Sequence, residues 1–229
     1  GKILDRDGEE LAVSIMTSSL YVDPVEMVDT LKGKKQKEPI RDVKRLGADL
    51  LAPVLDMSAE ELYDLFSSKG RFLWVKRTME PKVAEEVKKI IADNKLPGLH
   101  FLEESKRYYT KKGAAAHVLG FVGTDDIGWG GIEYTLNTVL SGAESRHEAL
   151  FNALGGQMLN EDTKTQKQEN LFSVYLTLDS KMQYVLEDAM EDAIKRTKAK
   201  GAAAIIMDPY TGEILGMSSR PTFDPNKYG

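Results

Sequence analysis

The stretch that most constrains the fold runs from Thr177 to Tyr228, because it joins a long amphipathic helix pattern to a short hairpin pattern. Its apolar residues recur at spacings of three and four, at Met182, Val185, Leu186, Ala189, Ala193 and Ile194. This spacing predicts a helix that Asp179 caps and Gly201 follows, with that apolar stripe facing inward. The runs 202–207 and 213–219 flank Pro209 and Gly212, which predicts a β-hairpin.

The first residues predict a turn between two strands. Asp5, Arg6, Asp7 and Gly8 are turn-forming, and Leu11, Val13 and Ile15 alternate after them, which predicts a strand with those three residues on one face. A separate strand is expected over 19–23, ended by Pro24.

Residues 40–109 alternate between helix and strand patterns. Apolar spacing predicts a helix over 40–55, and Ser58 with Glu61 forms a capping-box pattern that starts another. A strand is expected over 71–78, a helix begins at Pro81, and a further strand covers 99–109. The predicted fold class is therefore α+β, with short mixed strands and helices.

A glycine-rich loop lies between Gly123 and Gly131. It could bind phosphate before a helix, but no P-loop lysine follows and two acids lie inside it, so we interpret the glycines as turn residues. The turn would bring Glu133 under neighbouring strands. We expect at least two of Asp5, Arg6, Arg107 and Glu133 to pair across distant segments.

Composition and charge exclude several functions. The net charge of −5 argues against a nucleic-acid partner, and the basic run 32–37 is interpreted as a solvated loop rather than a nucleic-acid or anionic-lipid contact. With no cysteine and three histidines far apart, no metal site and no cofactor is predicted. The acidic pairs and the acids of the predicted helix are interpreted as solvated surface, so no catalytic residue is assigned.

Four motifs carry a resemblance to class B penicillin-binding proteins. The first is GKILDRDGEELA at the N-terminus, and the last is LTLDSKMQ followed by the hairpin and the FDPNKY tail. Between them, RYYTKKGAAAHVLG and GWGGIEYTLNTVLSG are similar to further family motifs, although Thr110 replaces the usual proline. The motif residues singled out as structural are Asp5, Arg6, Gly8, Arg107, Gly128, Gly131, Glu133, Gly142, Asp179 and Gln183.

The resemblance implies an elongated, non-catalytic pedestal or dimerisation domain over 1–170. It also implies that 171–229 is the opening helix and hairpin of a serine-transpeptidase domain. The catalytic motifs S-x-x-K, S-x-N and K-T-G of that family do not occur in this sequence. The chain itself is therefore predicted not to be an enzyme, while its parent is expected to be a D,D-transpeptidase.

The resemblance further implies partners and a location. Relatives contact a membrane glycan polymerase and division proteins, and a homodimer is an alternative assembly. An anchor upstream of Gly1 would place the chain on the extracytoplasmic face of a bacterial cytoplasmic membrane. Two motifs, SLYVDP and AAHVLGFVG, favour division or sporulation members. The alternatives left open are a stand-alone self-associating domain, an intact enzyme and a ligand-binding protein with an unrecognised site.

Overall fold

The computed structural model describes residues 1–28, 42–123, 126–141 and 172–227. Its strands are β1 Ile3–Leu4, β2 Glu10–Val22, β3 Leu73–Met79, β4 Leu99–Tyr109, β5 Phe121–Val122, β6 Gly128–Trp129, β7 Val174–Tyr175, β8 Ala202–Met207 and β9 Ile214–Arg220. Its helices are α1 Val43–Leu55, α2 Ala59–Ser67, α3 Pro81–Asn94, α4 Ala116–Leu119, α5 Gly131–Thr135, α6 Asn137–Ser141 and α7 Ser180–Thr197. The mixture of helices and strands is the predicted α+β class.

The chain forms two compact units. The first contains Gly1–Ile15 and Lys106–Gly229, and the second contains Met16–Ser105. The predicted boundary at residue 170 lies outside the described residues and stays a prediction, as does the basic run 32–37.

In the second unit, helices α1, α2 and α3 share a core with the end of β2, β3 and the start of β4. Its fully buried members include Leu20, Val22, Met27, Leu51, Leu55, Leu62, Phe66 and Val87. The predicted capping box is present, because Ser58 and Glu61 exchange side-chain and backbone hydrogen bonds at the start of α2. Pro81 occupies the first turn of α3, where a missing N–H costs nothing.

In the first unit, β1 lies between two partners. It pairs antiparallel with β2, with Ile3 opposite Ala12, and parallel with β7, with Ile3 opposite Val174. The buried core of this unit contains Ile3, Leu11, Ala12, Tyr109, Ala115, Leu119, Leu140 and Leu178.

The predicted break within residues 10–22 is wrong. One strand, β2, runs unbroken for 13 residues, although its pairing with β3 carries register shifts between Ser18 and Tyr21. Leu11 packs in the core of the first unit, whereas Ile15, predicted on the same face, is 41% exposed at the end of that unit's part of the strand.

Helix α7 and the hairpin β8–β9 occur where they were predicted, with two differences in detail. The helix ends at Thr197 with Lys198 in the left-handed conformation (φ 55°), so Gly201 is not the residue that terminates it. The buried face consists of Gln183, Leu186 and Met190, while Met182 and Val185 of the predicted stripe are 44% and 60% exposed. Met190 lies four residues after Leu186, at helical spacing, whereas the buried amide of Gln183 is not revealed by an apolar pattern.

Candidate functional site

The N-terminal turn 5–8 binds the start of α7. The Asp5 carboxylate is buried, and its Oδ1 accepts hydrogen bonds from the backbone N–H of Asp7 (2.9 Å) and Glu9 (2.8 Å). Its Oδ2 accepts from the Ser180 hydroxyl (2.6 Å) and the Ser180 N–H (3.3 Å), 175 residues away in sequence. Asp179 caps the same helix by accepting from Lys181 N (2.8 Å). Two carboxylates therefore lie at the positive end of the α7 dipole.

These contacts set the charge state of Asp5. Burial by itself raises the pKa of this carboxyl, but the Ser180 hydroxyl and the N–H groups of Glu9, Asp7 and Ser180 outweigh it. The pKa of Asp5 is therefore lowered from its ordinary value. Asp5 is thus an ionised anchor for the helix rather than a proton donor.

Arg6 and Gly8 complete this turn. The Arg6 N–H donates to Leu178 O (2.9 Å), and its guanidinium meets Glu213 of the hairpin turn at 3.3 Å, with both side chains more than a third exposed. Gly8 has φ +87°, a backbone conformation that side chains disfavour. The turn therefore contacts both the helix and the hairpin.

Arg107 and Glu133 form a buried ion pair within the same unit. Arg107 Nε donates to Glu133 Oε1 at 2.7 Å, with the two side chains 6% and 3% exposed. Arg107 Nη1 also donates to Gly1 O (2.5 Å) and Ser14 Oγ (3.2 Å). The structure thus brings together two of the four charged residues expected to pair, and ties the N-terminal segment to residues 107 and 133.

Tyr109 also contacts this ion pair. Its hydroxyl donates to Glu133 Oε1 at 3.2 Å. Burial, reinforced by the negative charge of Glu133, raises the pKa of the Tyr109 phenol well above its usual range. Tyr109 therefore stays neutral and serves as a hydrogen-bond donor to the carboxylate.

Gly128 and Gly131 lie where two stretches of backbone approach each other closely. A Cβ on Gly128 would lie 2.9 Å from Tyr134 N and closer still to the Glu133 carbonyl. A Cβ on Gly131, which has φ +54°, would lie 2.6 Å from Gly120 N. The glycine-rich loop thus functions as the turn that places Glu133, while Gly142 lies outside the described residues.

Gln183 joins α7 to β9. The Gln183 amide nitrogen, Nε2, donates to Met217 O (2.9 Å), and the amide oxygen, Oε1, accepts from Met217 N (2.9 Å). Nε2 also donates to Glu187 (2.6 Å), whose carboxylate accepts from Ala115 N (2.9 Å) and lies 3.3 Å from Arg220. These bonds fix the hairpin on the helix and on the segment before α4.

Side chains in these contacts that were not singled out from the sequence include Ser180, Glu187 and Arg220. Arg220 was the residue most open to prediction from the sequence, because an arginine at the end of an apolar strand needs a carboxylate partner when it is buried. Glu187 lies on α7 one turn after Gln183, which is the spacing at which side chains meet on a helix.

Within the described residues, no group of three or more His, Cys, Asp or Glu side chains is placed to hold a metal ion. No helix in the described part of the chain has the length and hydropathy needed to cross a membrane. The charged and polar side chains described above contact one another and so join segments that are far apart in the sequence.

Comparison with known proteins identifies the family. The family described as the penicillin-binding protein dimerisation domain matches residues 1–171. The chain therefore belongs to this family, and relatives of the chain are class B penicillin-binding proteins.

Relatives and a solved structure agree with this assignment. Stage V sporulation protein D of Bacillus subtilis is 35% identical over 230 residues, covering 100% of this chain and 33% of that protein. The probable peptidoglycan D,D-transpeptidase PenA of Neisseria meningitidis is 32% identical over 231 residues, covering 100% of this chain and 37% of that protein. The chain thus spans about a third of the length of these curated relatives. In fold, it is similar to a structure from Helicobacter pylori, a complex between penicillin-binding protein PBP2 and MreC. The TM-score is 0.64 at 22% identity, covering 99% of this chain and 42% of that one.

Proposed function

We propose that this chain is the non-catalytic N-terminal part of a membrane-anchored peptidoglycan D,D-transpeptidase. It holds the beginning of the transpeptidase domain on a pedestal. The observation that carries the proposal is the contact of the N-terminal turn with α7 and the hairpin, through Asp5–Ser180 and Arg6–Glu213. PenA of Neisseria meningitidis, named as a probable peptidoglycan D,D-transpeptidase, aligns over the whole chain, which covers 37% of that protein, and supports the same assignment.

The uncovered face of the hairpin supports a continuation of the fold. Strand β8 alternates between half-buried and exposed residues, and Ile205 and Met207 are 58% and 54% exposed. The opposite face packs on α7, where Gly216 lies against Leu186 and Gln183. An apolar face of this kind is normally covered, and we propose that later parts of a transpeptidase domain cover it. On this proposal, residues 1–170 are the pedestal and 171–229 belong to the transpeptidase domain.

The remaining features follow from the same assignment. The proposed location is the extracytoplasmic face of a bacterial cytoplasmic membrane, with an anchor upstream of Gly1. The proposed partners are a membrane glycan polymerase and proteins of cell division or sporulation. The Helicobacter pylori neighbour was solved as a complex with MreC, which supports a partner-binding role. The net charge of −5 argues against a nucleic-acid partner.

Labelling with a fluorescent penicillin tests the proposal. We expect the full-length gene product to form a covalent adduct that unlabelled penicillin blocks, because acylation needs an activated serine. The 229-residue chain, treated identically, should remain unlabelled. A blockable adduct on this chain, or none on the folded full-length protein, would contradict the proposal.

The exposed face of β8 also favours a second candidate, a self-associating domain. An exposed apolar face of this kind can pack against a second copy. Light scattering separates the two candidates. Self-association through this face would be favoured if the chain stays dimeric on dilution and becomes monomeric when Ile205 is replaced by lysine and Met207 by glutamate.

A further inference from the structure

Residues 221–227, which follow β9, form no strand and are held by side chains against residues 109–121 of the same unit. The Thr222 hydroxyl donates to Gly113 O at 3.2 Å. The Phe223 ring lies edge-on to His117, with centroids 5.2 Å apart, and Pro225 is buried. Successive residues therefore fix this tail along its length.

Asn226 makes the most specific contact of this tail. Its Oδ1 accepts from Tyr109 N (2.9 Å) and its Nδ2 donates to Tyr109 O (3.0 Å). Tyr109 is the last residue of β4, and the next residue, Thr110, already donates its N–H to Leu11 O of β2. The Asn226 amide thus takes the place of a neighbouring strand at the other edge of β4.

The orientation of this amide is itself fixed. Asp224 Oδ1 accepts from Asn226 N (3.0 Å) and from Asn226 Nδ2 (3.1 Å). An asparagine held in this way presents one donor and one acceptor in a set direction. Aspartate or alanine at position 226 cannot make the same pair of bonds at neutral pH.

Through Tyr109, the tail is joined to the buried ion pair. Asn226 holds the backbone of Tyr109, while the Tyr109 hydroxyl holds Glu133, which pairs with Arg107. The path of the chain at residue 226 is therefore set relative to a buried ion pair of the unit.

We propose that Asn226 is a positioning residue for the reaction of the full-length protein. Because Asn226 pairs with both backbone groups of Tyr109, it fixes the position from which the chain continues toward the catalytic serine. This inference rests on the proposed function, because it requires a transpeptidase reaction in residues beyond this chain. Small displacements of a catalytic group slow a reaction strongly, even when their origin is distant.

The test compares three variants of the full-length protein: Asn226→Ala, Asn226→Asp and Thr222→Val. The last removes a hydrogen bond of the same tail that does not involve Tyr109, so it is the matched control. For each, the second-order rate of acylation by a fluorescent penicillin is measured, together with the fraction of protein labelled at completion. We expect Asn226→Ala to react about tenfold more slowly with an unchanged labelled fraction, and Thr222→Val to stay within about twofold of the wild type.

A pH series separates positioning from a general loss of structure. Protonation of the Asn226→Asp carboxyl restores one donor and one acceptor on the same atoms. Its rate, divided by the wild-type rate at the same pH, should therefore rise as the pH is lowered from about 7.5 to about 5, whereas the same ratio for Asn226→Ala should stay constant.

The outcomes distinguish this inference from the proposed function. Acylation of Asn226→Ala at the wild-type rate would overturn the inference alone, as would a reduced labelled fraction with an unchanged rate. Failure of the wild-type full-length protein to become labelled would overturn the proposed function and this inference with it.

Discussion

Replacing Glu133 by alanine is expected to lower the melting temperature of the chain by roughly 6–20 °C. The reason is that Arg107, 6% exposed, would be left buried without its carboxylate. Removing one partner of a buried ion pair costs about 3–5 kcal/mol, and each kcal/mol corresponds to about 2–4 °C in a chain of this size. Thermal unfolding followed by circular dichroism measures the change.

The matched control is Glu213→Ala, which removes the partner of Arg6 in an ion pair whose side chains are 38% and 40% exposed. Exposed pairs contribute about 0–1 kcal/mol, so this variant should melt within about 4 °C of the wild type. The double variant Arg107→Leu with Glu133→Leu should lose less than the sum of the single losses, because no charge remains buried alone. Equal melting temperatures for Glu133→Ala and Glu213→Ala would contradict the role given to the buried pair.

Gly128→Ala and Gly131→Ala should be the next most damaging substitutions. At both positions a Cβ would meet backbone atoms that no side-chain rotation can move: Tyr134 N at 2.9 Å for Gly128 and Gly120 N at 2.6 Å for Gly131. Overpacking of this kind costs about 1–3 kcal/mol, and the positive φ of Gly131 adds about 1 kcal/mol. We therefore expect melting temperatures lower by roughly 2–16 °C, with Gly131→Ala the worse of the two.

Gly212→Ala is the control for backbone conformation alone. Gly212 has φ +77° in the hairpin turn, and a Cβ there would meet nothing within 4 Å. Its substitution should cost about 1 kcal/mol, without the steric part. If Gly212→Ala and Gly131→Ala destabilise equally in denaturant titrations, a close backbone approach is not what Gly131 provides.

Local patterns were sufficient to predict most of the elements. The capping box at Ser58, the helix start at Pro81 and the hairpin around Gly212 depend on interactions between near neighbours, and all are present. The predicted end of α7 was wrong because Lys198, not a glycine, adopts the left-handed conformation. The prediction of two strands over residues 10–22 was wrong because the backbone stays extended through the part where its pairing with β3 is irregular.

The buried face of α7 and the contacts of the site depend on tertiary packing. Gln183 faces inward because its amide satisfies both backbone groups of Met217, and no spacing rule marks a glutamine as buried. Charged residues in the motifs predicted that pairs would form, but not which ones. Arg107 pairs with Glu133, whereas Asp5 binds a serine hydroxyl and backbone N–H groups instead of an arginine.

The N-terminal turn and the first helix of the proposed transpeptidase segment are expected to unfold as one unit. A double-mutant cycle on Asp5→Ala and Ser180→Ala, followed by denaturant unfolding of this chain at neutral pH, measures how strongly the two are coupled. Because a hydrogen bond to a charged group contributes about 1.5–3 kcal/mol, we expect a coupling free energy of about 1 kcal/mol or more between these two positions. A coupling indistinguishable from zero would mean that Asp5 does not hold α7.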